Sequence, residues 1–153
     1  MLKSPKNKKV LRWSFIAAGA LLVIGAAVYF YYATLTHDDT ASLKADYQVE
    51  AIPFIKEFEK DHKAANKKYG EKIIAVKGIV TETEPADTTM NIKIIDTVSN
   101  SFIIFAFQEQ HLSEPKTVKV GDTVSIKGSF SAGIFSEIME VVKIDFKRSA
   151  LNK

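Results

Sequence analysis

A run of 21 residues without a charge, WSFIAAGALLVIGAAVYFYYA, begins at Trp13 and ends at Ala33, and it constrains this chain more than any other feature. As a helix it reaches about 31 Å, close to the hydrocarbon thickness of a bilayer. Trp13 stands at one end and Tyr29, Phe30, Tyr31 and Tyr32 at the other, where amphipathic rings favour the headgroup boundary. Lys3, Lys6, Lys8, Lys9 and Arg12 precede the run, whereas Asp38, Asp39 and Asp46 follow it with only Lys44 opposing. The positive-inside rule then keeps the N-terminus cytoplasmic and sends everything after Ala33 outward. The competing reading is a cleaved signal peptide, whose apolar part is typically ~7–15 residues and ends at a small-x-small site. Here the run is longer, its Ala-x-Ala matches such as Ala18-Gly19-Ala20 lie inside it, and its exit is a cluster of tyrosines, which favours a retained anchor. Gly19 and Gly25 are six apart, so nothing argues for a Gly-x-x-x-Gly helix pair.

The anchor changes the meaning of the overall charge. The 153 residues carry +3, but the five cations before Trp13 account for more than all of it, leaving 16 Lys+Arg against 18 Asp+Glu, or −2, in the remainder. The absence of cysteine excludes disulfide scaffolds, thiolate metal sites, iron–sulfur ligation, c-type haem attachment and a cysteine-linked lipid anchor.

Residues 34–42, TLTHDDTAS, read as a polar tether. Leu43, Tyr47, Ala51, Phe54, Phe58, His62, Ala65 and Tyr69 then recur at spacings of three and four, predicting an amphipathic helical segment over 43–70. Pro53 fits only a first turn, which divides the segment into helices over about 43–51 and 53–69. After Gly70 the period becomes two. Five strands are expected at 72–83, 90–97, 102–108, 123–132 and 138–147, with breaks at 84–87, 98–100, 109–121 and 133–137, the 109–121 gap having room for one short helix. Ile74-Ala75-Val76-Lys77-Gly78-Ile79-Val80 and Val124-Ser125-Ile126-Lys127-Gly128-Ser129-Phe130 share one pattern, and each places a glycine on the inward face, where a strand bends sharply to serve two sides of a small barrel. The expected fold class is therefore mainly β with N-terminal helices: one transmembrane helix over 13–33, a linker over 34–42, helices over 43–70, a five-stranded OB-fold (Greek-key) barrel over 71–147 and a tail over 148–153, all behind a basic cytoplasmic arm of residues 1–12.

Ala65, Lys68-Tyr69, Lys72, Val76-x-Gly78-x-Val80 and Val120-Gly121-Asp122-x-Val124-x-Ile126-x-Gly128 resemble the bacterial tRNA-anti-like OB-fold family, small extracytoplasmic proteins with an N-terminal anchor or lipobox. The resemblance runs over most of 47–146. It implies an OB-fold at the inner membrane, with the domain periplasmic or extracellular, and its name implies nucleic-acid binding by analogy of fold alone. The family often has Asn-Glu seven and six positions before the Lys-Tyr pair; this chain has Asp61 and His62 there, so no role is carried over to them.

The candidate ligand-contact residues are Lys93, Phe102, Ile134 and Phe135: the first two belong to the strands with which OB-folds bind ligands, the last two to an apolar pair in the loop after strand four. Of Phe102, Phe105 and Phe107, at least one must be core. Single-strand nucleic-acid binding wants aromatic platforms in a basic groove, and a remainder carrying −2 offers no general pull on phosphates. No glycine-rich phosphate loop or Gly-x-Ser-x-Gly elbow is present, and His37, His62 and His111 are scattered, so no catalytic residue, metal or cofactor is expected. Glu59-x-x-His62 has a carboxylate-metal spacing but lacks partner helices. The periplasmic haem chaperone family also joins one anchor to an OB-fold, yet the 147–153 tail has no histidine or tyrosine. The expectation is a non-catalytic module for a protein partner or envelope assembly, beside the membrane lipid around its helix; the alternatives are single-stranded nucleic acid, an oligosaccharide and, last, haem carriage.

Overall fold

The computed structural model describes residues 6–33, 38–87 and 89–152. Arm residues 1–5 and tether residues 34–37, including His37, lie outside the described residues. The chain divides into two compact units, Met1–His37 and Asp38–Lys153. In the first, helix α1 spans Lys6–Ala33. Its stretch Trp13–Tyr32 is long and apolar enough to cross a membrane, and none of it is buried in protein.

The second unit is a seven-stranded sheet with two short helices. In chain order it holds β1 (Tyr47–Glu50), α2 (Ala51–Lys60), α3 (His62–Tyr69), β2 (Ile73–Ile79), β3 (Glu82–Ala86), β4 (Thr89–Ile95), β5 (Phe102–Phe107), β6 (Thr123–Ser136) and β7 (Val141–Leu151). Two 3-10 turns, Glu109–His111 and Glu114–Thr117, occupy the long gap expected to hold one short helix. The strand order is β1-β2-β6-β7-β5-β4-β3, with β1–β2 and β5–β7 parallel and the other neighbours antiparallel.

Three expectations are corrected. The sheet is not a closed five-stranded barrel: β1 and β3 are its two edges. The first long strand divides at Val80, whose N–H donates to the Asp122 carbonyl while the Thr81 N–H donates to Lys93. Its halves serve different partners, β2 lying on β6 and β3 on β4. Second, residues 47–50 form a strand, not part of a helix. Leu43, Tyr47 and Ala51 fit either period, and the choice is made by β2, which supplies register partners from Ile74 to Lys77. The single helix over 53–69 is two helices joined at Asp61, whose carboxylate accepts from the Lys63 and Ala64 N–H groups and caps α3. Third, Glu84-Pro85-Ala86 lies within β3 rather than in a turn, Gly133 to Ser136 extend β6, and β7 continues to Leu151 through most of the supposed tail.

The helices pack on one face of the sheet. Phe54, Ile55 and Phe58 of α2 and Ala65 and Tyr69 of α3 join Ile92, Ile94, Ile103, Phe105, Ile126, Phe130, Ile144 and Phe146 in one buried cluster. Phe58 rests where β6 has no side chain: a Cβ on Gly133 would lie 2.3 Å from the Phe58 ring atoms Cδ1 and Cε1. Asn66 of α3 locks the same place, its amide accepting from the Gly133 N–H at 2.8 Å and donating to the Gly133 carbonyl at 2.6 Å.

Candidate binding face

Directly opposed residues of neighbouring strands share a face. On the covered side Ile94, Ile103, Ile144 and Gly133 stand in one row across β4, β5, β7 and β6. The next residues along the strands point the other way. They form a row Ile95–Phe102–Lys143–Ile134 and, beside it, a row Glu82–Lys93–Ile104–Asp145–Ala132 that reaches β3. These side chains are half-buried or exposed. Three of the four residues expected to contact a ligand, Lys93, Phe102 and Ile134, therefore lie on the face opposite the helices.

Phe135 does not join them. It belongs to β6 rather than to a loop, and its ring stacks on His62 of α3 with centroids 6.1 Å apart. Ile134 is likewise a strand residue, with Lys143 as its register partner. Of the three phenylalanines in β5, Phe105 and Phe107 are core and Phe102 is outward.

The electrostatics of the face are set by internal pairing. The Lys93 ammonium lies 3.3 Å from Glu84 Oε2 and 3.8 Å from Glu82 Oε2, and sits 5.5 Å from the centre of the Phe102 ring. Lys143 Nζ lies 3.1 Å from Asp145 Oδ1. Each ammonium in the two rows thus already has a carboxylate; Phe102 and Ile104 on β5 lie between these pairs, with Ile95 two residues along β4 from Lys93 and Ile134 beyond Lys143 on β6.

At its other end the same sheet surface is covered, by residues that the sequence presents as tether. The Thr40 N–H donates to Gln108 Oε1 at 3.1 Å, and Gln108 Nε2 donates to the Asp38 carbonyl at 3.4 Å. Lys127, on β6, is buried, and its ammonium donates to the Ala41 and Leu43 carbonyls at 2.9 and 2.8 Å. His111 Nε2 faces Asp39 Oδ1 at 2.7 Å while its Nδ1 faces Glu114 Oε1 at 3.1 Å; the other Glu114 oxygen accepts from the Leu151 N–H at 2.7 Å. Burial opposes a charge on His111, but the hydrogen bond to Asp39 and the two carboxylates outweigh it and raise its pKa above 6.5. The His111 hydrogen bond, with the Ala41 N–H, holds Asp39 below the usual carboxylate value. Residues 38–43 are a docked strap. No periodicity announces it; the only sequence signal is a lysine, Lys127, in an otherwise apolar and small-residue strand.

Among the described residues no group of three His, Cys, Asp or Glu could hold a metal ion. Glu59 and His62 fall on separate helices.

The tRNA_anti-like family model matches residues 3–144. The chain belongs to this family. A tRNA_anti-like assignment agrees with the strand and glycine motifs, which sit in β2, β6 and the turn before β6. Among solved structures, a candidate nucleic acid-binding lipoprotein from Klebsiella pneumoniae is similar at a TM-score of 0.53 and 13% identity, over 77% of this chain and 98% of that one. The asparaginyl-tRNA synthetase of Entamoeba histolytica is similar over 53% of this chain and 20% of its own, at a TM-score of 0.38 and 14% identity. No curated protein matches by sequence. At these identities the likeness is one of fold.

Proposed function

We propose that this tRNA_anti-like chain is a membrane-anchored, extracytoplasmic OB-type binding module without catalysis, which holds a protein partner on the outer face of β4, β5, β7 and β6. The observation that carries the reading is Lys93: its ammonium is held by Glu84 and Glu82 over Phe102, so the central cation of the face is already neutralised. A single-strand site wants free cations beside stacking rings. This face offers paired cations with the apolar residues Ile95, Phe102, Ile104 and Ile134 beside them, a composition that suits a protein contact. The anchor rests on the Trp13–Tyr32 stretch and the outward orientation on the lysines before it.

The Klebsiella lipoprotein's description makes an oligonucleotide the competing ligand. Two experiments test the reading. Alkaline phosphatase fused after Lys153 is expected to be active, and an inactive fusion overturns the orientation. Site-specific photocrosslinking from position 104 in the full chain in cells is expected to give one discrete protein adduct that Phe102→Ala weakens. Oligonucleotide binding with a steep salt dependence, and no such adduct, would replace the protein reading by the nucleic-acid one.

A further inference from the structure

The covered end of the outer sheet face is closed by the chain's own residues 38–43, and the way they are held shows what else fits there. Ala75, Lys127 and Ala150 are register neighbours in one row across β2, β6 and β7. All three are buried, yet none belongs to the cluster beneath the helices. The strap is fastened over this row mostly by its main chain. Its Thr40 N–H and Asp38 carbonyl meet the Gln108 amide, and its Ala41 and Leu43 carbonyls meet the Lys127 ammonium. Asp39, on His111, is the one strap side chain hydrogen-bonded beyond the strap among the described residues. The strap also makes its own turn: the Asp39 carbonyl accepts from the Ser42 N–H and the Asp39 carboxylate from the Ala41 N–H, both at 2.9 Å. A socket that receives main chain and one carboxylate does not require this particular segment.

In two respects the strap fills the socket incompletely. Thr40 is 0% exposed, and its Oγ1 has no hydrogen-bond partner among the described residues. A buried hydroxyl without a partner carries a desolvation cost that an isosteric valine avoids. Lys127 is 9% exposed, and its ammonium donates to two carbonyls with no carboxylate within ion-pair distance among the described residues. A buried charge without a counter-charge is costly in the same way. The Leu43 carbonyl oxygen lies 2.8 Å from Lys127 Nζ. In a chain that ended at that residue, an oxygen would replace the next peptide nitrogen and the carbonyl would become a carboxylate with little change in bulk. The ammonium would then gain its counter-charge through a charge-assisted hydrogen bond.

We propose that the strap occupies a recognition site for the C-terminal segment of a partner protein, whose terminal carboxylate takes the place of the Leu43 carbonyl on Lys127. The segment carries a β-branched apolar residue three positions before its end, where Thr40 is buried, and an aspartate one position earlier, facing His111. The strap holds the site closed until such a segment displaces it. This rests on the reading that the outer sheet face takes a protein, and it names the part of the partner that is taken.

The probes are N-acetylated peptides of residues 38–43, DDTASL and its valine form DDVASL, each as the free acid and as the C-terminal amide. The receptor is the full-length chain in detergent micelles with Asp39→Lys and Thr40→Gly, which loosen the strap and leave Gln108, His111 and Lys127 in place. Binding is followed by NMR at the Gln108 and Lys127 amides. The free acid should saturate these shifts at a roughly tenfold lower concentration than the amide, and DDVASL at a roughly fivefold lower one than DDTASL. The parent chain, whose own strap competes at high effective concentration, should need at least about tenfold more peptide. Lys127→Met in the loosened chain should erase the difference between acid and amide. If the double substitution shifts amides throughout the sheet, Thr40→Asp alone replaces it, loosening the strap by burying a charge. No saturable shift, acid and amide binding alike, or parent and loosened chains binding alike overturns the proposal. The adduct from position 104 is a separate readout: peptide binding without that adduct strikes the partner reading of the open rows, and the adduct without peptide binding strikes this site.

Discussion

His111 and Asp39 meet at 2.7 Å, Nε2 to Oδ1, while the other ring nitrogen faces Glu114 at 3.1 Å. With a carboxylate at each nitrogen, only the imidazolium can donate to both; the neutral ring donates to one and leaves the other carboxylate facing a lone pair. The His111 pKa is raised on folding, so its contribution to stability is complete below about pH 6.5 and disappears as the pH rises through the folded value. Asp39 runs the opposite way: its pKa is lowered, so its contribution holds above the ordinary value of 3.8 and fails as the pH falls through the folded one. The strap is therefore held best between about pH 4 and pH 6.5. His111→Gln should lower the melting temperature at pH 5.5 and leave it nearly unchanged at pH 8.5. Asp39→Asn should bring the NMR titration midpoint of His111 down. A midpoint indifferent to Asp39 would contradict the contact.

Gln108 is the second fastening of the strap. Gln108→Ala leaves the buried Thr40 N–H without its acceptor, a loss of about 1–3 kcal/mol. Limited proteolysis within residues 38–43 should become faster in this variant than in the parent, whereas cleavage elsewhere in the sheet unit should change little. Equal cleavage rates would mean that the strap does not depend on Gln108.

Gly133→Ala tests the seat of α2 on β6. The added carbon would overlap the fully buried Phe58 ring, which has no free end to swing aside. Denaturant unfolding should show a loss of about 1–3 kcal/mol. Adding Phe58→Leu to Gly133→Ala should recover part of the loss, although Phe58→Leu alone destabilises.

Phe102→Ala and Ile134→Ala remove apolar surface from the outer row and should weaken the protein adduct captured from position 104 while leaving the melting temperature within a few degrees. Phe135→Ala separates two readings of that residue. Its ring lies on His62, away from the outer rows, so the variant should leave the adduct at position 104 unchanged. An adduct lost in Phe135→Ala would mean that the contact surface wraps around the β6 edge.

Much of the architecture is legible in the residues. The uncharged run announces α1, and the change to period two after Gly70 announces the strands, because each local geometry buries residues at its own spacing. The motif around Val76 and Gly78 leads to the tRNA_anti-like family. What misleads is where both periods fit or where polar residues are buried. Leu43, Tyr47 and Ala51 read as a helical stripe, yet β2 recruits residues 47–50 as a strand. Glu84-Pro85-Ala86-Asp87 looks like a turn, yet Pro85 is tolerated because β3 is an edge strand. Thr34 to Ser42 read as a tether, because nothing local distinguishes a solvated polar segment from one whose backbone is received by Gln108 and Lys127.

The candidate face divides in the same way. Alternation along β4 and β5 identifies Lys93 and Phe102 as lying on one side of their strands, and the apolar character of Ile134 marks it for attention. Only the register of β7 between β5 and β6 brings Phe102 and Ile134 into one row through Lys143, whereas alternation along β6 turns Phe135 to the other face, where it meets His62 of α3. The amino-acid order by itself determined the apolar N-terminal helix, the strand segments after Gly70 and the alternation of apolar residues along them, since these depend on neighbours a few residues apart. Tertiary structure alone decided which strands pair, which sheet face the helices cover, and how Asp39 and Lys127 are partnered, because those depend on groups up to 86 positions away.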